Sequence, residues 1–226
     1  ARLWGEAAGM DPAISIRLEK RIPAGGGLGG GSSDAGAVLR GLEVVHGGRL
    51  GTDALAGIAA RLGADVAFFA GSTGLARGEG IGERLSALTP LEPRELVVAV
   101  PHVAVPTGPA YGWVAASRPP GGTSEPFPDL GALDWSRIEE LAGNDFHAVV
   151  ADHVPEVAAL AEEMVGIGLT GVLLSGSGSA LFGFPTPDLS ATEAAKRLTG
   201  STGGTRAWAV RTLGVLPPPR SLVSRG

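Results

Sequence analysis

The chain has 226 residues, 44% of them hydrophobic and 18% charged, which suits one large domain or two small ones and is too apolar for a disordered polymer. A net charge of −5, with no stripe of Lys and Arg interleaved with aromatics, excludes nucleic acid as the main partner. The absence of cysteine excludes a disulfide framework and cysteine-ligated zinc, no apolar run approaches the ~18 residues of a membrane span, and the expected setting is cytoplasmic.

In chain order, Arg2–Gly9 reads as the end of a helix, and Ala13–Arg21 alternates Ile14, Ile16 and Leu18 with Ser15, Arg17 and Glu19, the period of a half-buried strand. A glycine run follows. Helices are predicted from Ser33 to Val45 (Val38, Leu39, Leu42, Val45), with Ser32, Ser33 and Asp34 as capping chemistry, and from Asp53 to Leu62, opened by Thr52 or Asp53 and stopped by Gly63. Leu96–Val100 reads as a buried strand, Thr107–Ser117 as a helix and Pro119–Asp129 as a Pro/Gly-rich loop. Helices are predicted at Trp135–Leu141, Asp145–Ala151 and Pro155–Val165. The last quarter then runs strand (Gly171–Leu174), turn (Ser175–Ser179), strand (Ala180–Phe184), helix (Ser190–Leu198) and strand (Arg206–Leu213). This interleaving indicates an α/β or α+β architecture.

The segment PAGGGLGGGSSDAG, placed between a strand and an amphipathic helix, suits anion binding. Glycines lack Cβ, so backbone N–H groups can curl around phosphate oxygens, and the helix N-terminus adds unpaired amides and a positive dipole end. Ser32 and Ser33 add hydroxyls suited to phosphate or hydrated Mg²⁺. A nucleotide polyphosphate is the natural occupant. Other readings stand beside it. Gly25, Gly27 and Gly30 satisfy G-x-G-x-x-G, with Asp53 near the distance of a ribose-binding acid, yet the preceding strand alternates and Asp53 falls where a helix cap belongs. A P-loop would need a lysine before Ser32, where Gly31 stands. A flexible linker is the plainest alternative. The four histidines (His46, His102, His147, His153) show no metal-ligand spacing, and no protein metal site is expected.

PAGGGLGGGSSDAG resembles the second motif of the GHMP kinases, and its doubled GLGGG resembles the branch of 4-diphosphocytidyl-2-C-methyl-D-erythritol kinases. In the same order, LGADVAFF (Leu62–Phe69), AVPTGPAYGWV (Ala104–Val114), GNDF (Gly143–Phe146) and LLSGSGSALFGF (Leu173–Phe184) are similar to further stretches of that branch. Ala67 stands where a proline is usual and Gly36 where alanine is common. The resemblance runs from about Leu18 to Leu213.

It implies an α+β, two-lobed GHMP fold: a nucleotide-binding lobe over 1–90, incomplete at its start, a ferredoxin-like lobe with helices on one face over 91–215, and a disordered tail over 216–226. It implies ATP with Mg²⁺ as phosphoryl donor and a cytidine-diphosphate-linked methylerythritol as acceptor, in isoprenoid precursor synthesis. Asp65 would be the catalytic carboxylate, although on its own it reads first as a cap for the following turn. ATP would be held by Pro23, Ala24, Gly25, Gly26, Gly27, Leu28, Gly29, Gly30, Gly31, Ser32 and Ser33. Substrate would be held by Thr107, Tyr111, Gly176, Ser177 and Gly178. On residues alone, Ser175–Ser179 is equally an ordinary hairpin turn, Tyr111 an inward-packing helix residue, and Asn144–Asp145 a helix cap. The family's first motif carries a lysine that interacts with the catalytic aspartate, and nothing ahead of the glycine run matches it. Lys20 belongs to the strand before that run, so the chain is expected to be an N-terminally truncated piece, either a monomer or a homodimer. A GHMP kinase for another alcohol and a non-catalytic nucleotide-binding module are the rivals.

Overall fold

The computed structural model of the chain describes residues 1–80, 82, 84–118, 130, 133–201 and 203–220, so the predicted 119–129 loop and residues 221–226 lie outside it. The chain separates into one unit made of Ala1–Arg21, Gly29–Glu92 and Leu213–Gly226, and another made of Ile22–Leu28 and Pro93–Thr212.

The first unit is led by helices: α1 (Arg2–Ala8), α2 (Gly30–Val45), α3 (Gly51–Leu62) and the short α4 (Val66–Ala70), followed by a two-stranded hairpin, β1 (Ala76–Glu79) and β2 (Arg84–Ala87). Trp4, Leu39, Leu42, Ile58, Ala59 and Val66 form its core. Burial of each large apolar side chain contributes roughly 1.5–3 kcal/mol. Trp4 is fully buried, and its indole N–H donates to Glu43 Oε1 at 2.8 Å. The same carboxylate accepts the Leu50 amide at 3.2 Å where α3 begins. Glu43 thereby takes the place expected of Thr52 or Asp53: α3 starts from Leu50 without a side-chain cap of its own, and Asp53 sits within the first turn, where its charge meets the positive dipole end. Val45, read as part of the apolar stripe of α2, is 68% exposed.

The predicted strand over Ala13–Arg21 is not present. Those residues are extended chain without strand pairing, and Ile16 and Leu18 are 52% and 59% exposed. Alternation describes a segment ready to lie on a sheet, but a strand exists only when a neighbour takes its hydrogen bonds. At the other end, Thr73 bridges Val215, Leu216 N–H donates to Ser72 O at 2.8 Å, and the Arg40 guanidinium donates to Pro217 O. The chain is thus engaged with the first unit through Pro217.

The second unit contains β3 (Glu95–Val100), α5 (Thr107–Ser117), α6 (Trp135–Leu141), α7 (Phe146–His153), α8 (Pro155–Gly166), β4 (Leu169–Leu174), β5 (Leu181–Pro185), α9 (Ala191–Leu198) and β6 (Arg206–Arg211). Its strands form one antiparallel sheet in the order β4-β5-β3-β6, the ferredoxin-like arrangement. Val97, Ala99, Leu174 and Leu181 of the sheet join Val157, Leu160 and Met164 of α8 and Ala191, Ala194 and Leu198 of α9 in the core. The expectation of helices on one face needs a correction. Phe184 alternates with the core-facing Gly183 and lies on the opposite face, where Trp135 of α6 meets it edge-on at 5.7 Å. Local caps set two helix starts. Asp134 accepts the Arg137 amide at 2.8 Å for α6, and Ser190 accepts the Glu193 amide at 3.2 Å for α9.

Candidate active site

The glycine-rich segment divides between the two units: Pro23, Ala24, Gly25, Gly26, Gly27 and Leu28 belong to the second, and Gly29, Gly30, Gly31, Ser32 and Ser33 to the first. Gly29 is the N-cap of α2, with φ 64° and no side-chain cap. The first helical hydrogen bond runs from Ser33 N to Gly29 O at 2.8 Å, leaving the amides of Gly30, Gly31 and Ser32 ahead of it without intrahelical acceptors. The first turn of α2 carries no acidic residue, so nothing there competes with an incoming anion. Ser33 Oγ donates to Gly30 O at 2.8 Å, which steadies the turn. Lys20 forms an ion pair with Asp34 one residue further along α2.

Asp65 occupies the N-cap position of α4, yet its side chain makes no cap hydrogen bond and is exposed. The carboxylate is therefore not spent on capping. The helix it opens is held tightly: a Cβ at Gly36 would come within 2.6 Å of the backbone carbon of Phe69, and one at Gly29 within 2.9 Å of the Phe69 ring. The GADV segment and the glycine-to-helix segment are packed backbone against backbone in the first unit, and Gly36 is the residue that permits it. Alanine there would require α2 and α4 to separate.

In the second unit, Ser175–Ser179 joins β4 to β5 and is closed by Ser175 N to Ala180 O at 2.8 Å and Gly178 N to Ser175 O at 3.0 Å. It is a hairpin turn, and it also interlocks with the first glycine segment. Ala180 N–H donates to Gly26 O at 3.0 Å, Ser175 Oγ donates to Gly27 O at 3.0 Å, and a Cβ on Gly27 would lie 2.1 Å from Ser175 O. Ser177 Oγ lies 3.5 Å from Thr107 Oγ1 at the start of α5. Gly176 and Gly178 flank that hydroxyl. Tyr111, one turn further along α5, does not pack inward. It is 61% exposed and leans edge-on against Phe146 at 4.9 Å. Thr107, Tyr111, Gly176, Ser177 and Gly178 are thus gathered around α5 and the β4–β5 turn.

Asn144 caps and bridges at once: its Oδ1 accepts the Phe146 amide at 2.8 Å, while its Nδ2 donates to Leu174 O at 2.7 Å and Gly176 O at 2.8 Å. Asp145 pairs with Arg118. His147, to which no motif assigns a role, accepts the Leu174 amide on Nδ1 at 3.0 Å, and burial lowers its pKa below the ordinary histidine value. Among the described residues no group of three or more His, Asp or Glu side chains is placed to hold a metal ion, and no helix is long and apolar enough to cross a membrane.

A glycine-led helix start in the first unit and a glycine turn on the ferredoxin-like sheet of the second mark the chain as a GHMP kinase, as the family matches show. Residues 1–73 match the GHMP kinases N terminal domain and residues 127–203 the GHMP kinases C terminal domain. A 4-diphosphocytidyl-2-C-methyl-D-erythritol kinase of Symbiobacterium thermophilum is 40% identical over 222 residues, covering 94% of this chain and 76% of that protein. One from Anaeromyxobacter sp. (strain K) is 44% identical over 181 residues, covering 78% of this chain and 56% of its own length. A crystal structure of 4-(cytidine 5'-diphospho)-2C-methyl-D-erythritol kinase superposes with a TM-score of 0.71 at 37% identity, over 93% of this chain and 75% of that one. Homoserine kinase from Cytophaga hutchinsonii shares the fold alone, with a TM-score of 0.56 at 16% identity over 87% of this chain and 68% of that one. The chain belongs to the 4-diphosphocytidyl-2-C-methyl-D-erythritol kinase family.

Proposed function

We propose that the protein transfers the γ-phosphoryl group of ATP to a hydroxyl of 4-diphosphocytidyl-2-C-methyl-D-erythritol, a step toward isoprenoid precursors. The observation that carries the reading is the start of α2: a helix N-terminus with three amides lacking intrahelical acceptors, no side-chain cap and no acid in its first turn, packed against the helix that Asp65 opens. The residues fit a polyphosphate. Gly29 supplies the left-handed turn, the Gly30, Gly31 and Ser32 amides supply donors, and the Ser32 and Ser33 hydroxyls can meet phosphate or the hydration shell of a cation. Mg²⁺ bound with the nucleotide would neutralise charge on the phosphates. Asp65 is free to accept the acceptor hydroxyl's proton as the new O–P bond forms and the β–γ bridge breaks. Thr107, Ser177 and the Gly176 and Gly178 backbone would orient the polar part of the acceptor, and the exposed Tyr111 ring would stack on its cytosine. Positioning and charge stabilisation supply most of the rate in phosphoryl transfer.

The test is ADP release with ATP, Mg²⁺ and the cytidyl methylerythritol substrate, run on the 226-residue chain and on a version including any coding sequence upstream of Ala1. Release that requires this substrate supports the reading. Release only with another alcohol retains the fold's chemistry and removes the proposed substrate. ATP binding without turnover on any alcohol removes the catalytic reading.

A further inference from the structure

Leu174 is the last residue of β4, and β4 is an edge of the four-stranded sheet. In an antiparallel strand the N–H and C=O of one residue point to the same side. Both polar groups of Leu174 leave the open edge, and neither meets a strand. The N–H donates to His147 Nδ1 at 3.0 Å and the C=O accepts from Asn144 Nδ2 at 2.7 Å. Asn144 and His147 stand three residues apart where α7 begins, the spacing that puts two side chains on one helix face. Together they present one donor and one acceptor, in the order a neighbouring strand residue would. Asn144 Nδ2 reaches on to Gly176 O at 2.8 Å, inside the glycine turn. Phe146, between them, supports the Tyr111 ring.

Only one form of His147 can do this. Nδ1 must be unprotonated to accept an amide hydrogen, so the ring is neutral with its proton on Nε2. The hydrogen bond that it closes lies next to Ser175, whose hydroxyl holds Gly27 O.

We propose that His147 is a positioning residue for the kinase reaction: as a neutral acceptor for the Leu174 amide it completes, with Asn144, a one-residue strand mimic that fixes where the Ser175–Ser179 turn begins. It acts through the turn, by keeping Gly176, Ser177 and Gly178 in register with Thr107 and Tyr111. The inference rests on the function proposed above for its kinetic arm, and on geometry alone for its exchange arm.

Two substitutions separate an acceptor from a space-filler. His147→Leu keeps bulk and removes the acceptor; His147→Asn puts Oδ1 where Nδ1 was. Both are made in the protein with any upstream coding sequence included. Hydrogen–deuterium exchange over 173–178, without substrate, is expected to speed up about tenfold or more in the Leu variant, the order of effect for losing one partner of a half-buried amide, and to return most of the way in the Asn variant. In steady-state kinetics the Leu variant raises KM for the cytidyl substrate about tenfold with less than about a threefold change in kcat, and the Asn variant restores KM. Unchanged exchange in the Leu variant, or exchange in the Asn variant as fast as in the Leu variant while both melt cooperatively, overturns the positioning role. So does altered exchange with an unaltered KM. Absence of turnover in the unsubstituted protein counts against the proposed function instead, and the exchange data still decide whether His147 holds the turn.

Discussion

Replacing Gly27 with alanine tests the interlock of the two glycine segments directly. Gly27 has φ 72°, a conformation that costs a residue with Cβ roughly 1–2 kcal/mol. The added methyl would sit 2.1 Å from Ser175 O and 2.9 Å from both Gly178 N and Gly178 O. Two of these contacts are rigid backbone oxygens, so the segments must part by about 1 Å to reach ordinary contact distance. At that separation the Ser175 Oγ to Gly27 O and Ala180 N to Gly26 O hydrogen bonds, both 3.0 Å now, are lost or badly stretched, at about 1 kcal/mol each. The expected total is about 3–4 kcal/mol, which for a chain of this size lowers the melting midpoint by about 10 °C. The companion is Gly31→Ala: Gly31 has no neighbour within 4 Å of its would-be Cβ and lies in the first turn of α2. Its melting midpoint should be unchanged or slightly raised, since alanine suits a helix better than glycine. Calorimetry on both, with ATP titrations alongside, reads the difference. If Gly27→Ala melts and binds ATP as the unsubstituted chain does, the two segments are not interlocked and the run is a linker.

Asp65→Asn should lower turnover by about 10²–10⁴-fold while ATP affinity stays within about twofold; retained turnover would remove the carboxylate from the chemistry. Gly29→Val meets both a positive φ and the Phe69 ring at 2.9 Å, so ATP binding should weaken at least tenfold, and an unchanged Kd would refute the placement of phosphate at the start of α2. His147 is half-buried with its pKa lowered by desolvation, so the folded chain binds fewer protons there than the unfolded one. Its contribution to stability is therefore full above the unfolded value of about 6.5 and is lost as pH falls through that value toward the folded one. Neither α5 nor β4, which pack against α7, carries a charged side chain to oppose this; α8 carries Glu156, Glu162 and Glu163, and Asp145 beside it is paired with Arg118. Urea midpoints from about pH 7.5 to about pH 5 should fall more steeply for the unsubstituted chain than for His147→Asn, and parallel curves would refute the titration.

The elements that were legible are those whose signal is local. Trp135–Leu141 begins where it is predicted because Asp134 satisfies an amide three residues away and needs no distant partner, and Thr107–Ser117 also keeps its predicted bounds, starting after Pro106 without a side-chain cap. The β1–β2 hairpin was not legible for the converse reason. Arg77, Glu79 and Arg84 interrupt any apolar alternation, and cross-strand backbone pairing joins its strands together with the Arg84–Glu79 ion pair at 3.9 Å. The Ala13–Arg21 segment fails in the opposite direction, since its alternation states what a sheet would find there without supplying the sheet. The site divides along the same line. Asp65 was legible as a carboxylate just past a helix stop, because Gly63 and the apolar Val66–Phe69 run are its immediate neighbours. The contact of Gly27 with Ser175 joins residues 148 positions apart through the Ser175 hydroxyl and the facing backbone, so the trace it leaves in the sequence is a small hydroxyl residue on one side and a missing side chain on the other. That is why the two glycine runs carried so much of the reading: each was the imprint of the other. His147 leaves no such imprint, since a histidine accepting a backbone amide is spelled like any other. Its one visible signal is the step of three from Asn144 at the start of a predicted helix, which acquires meaning only when the edge of β4 is brought alongside.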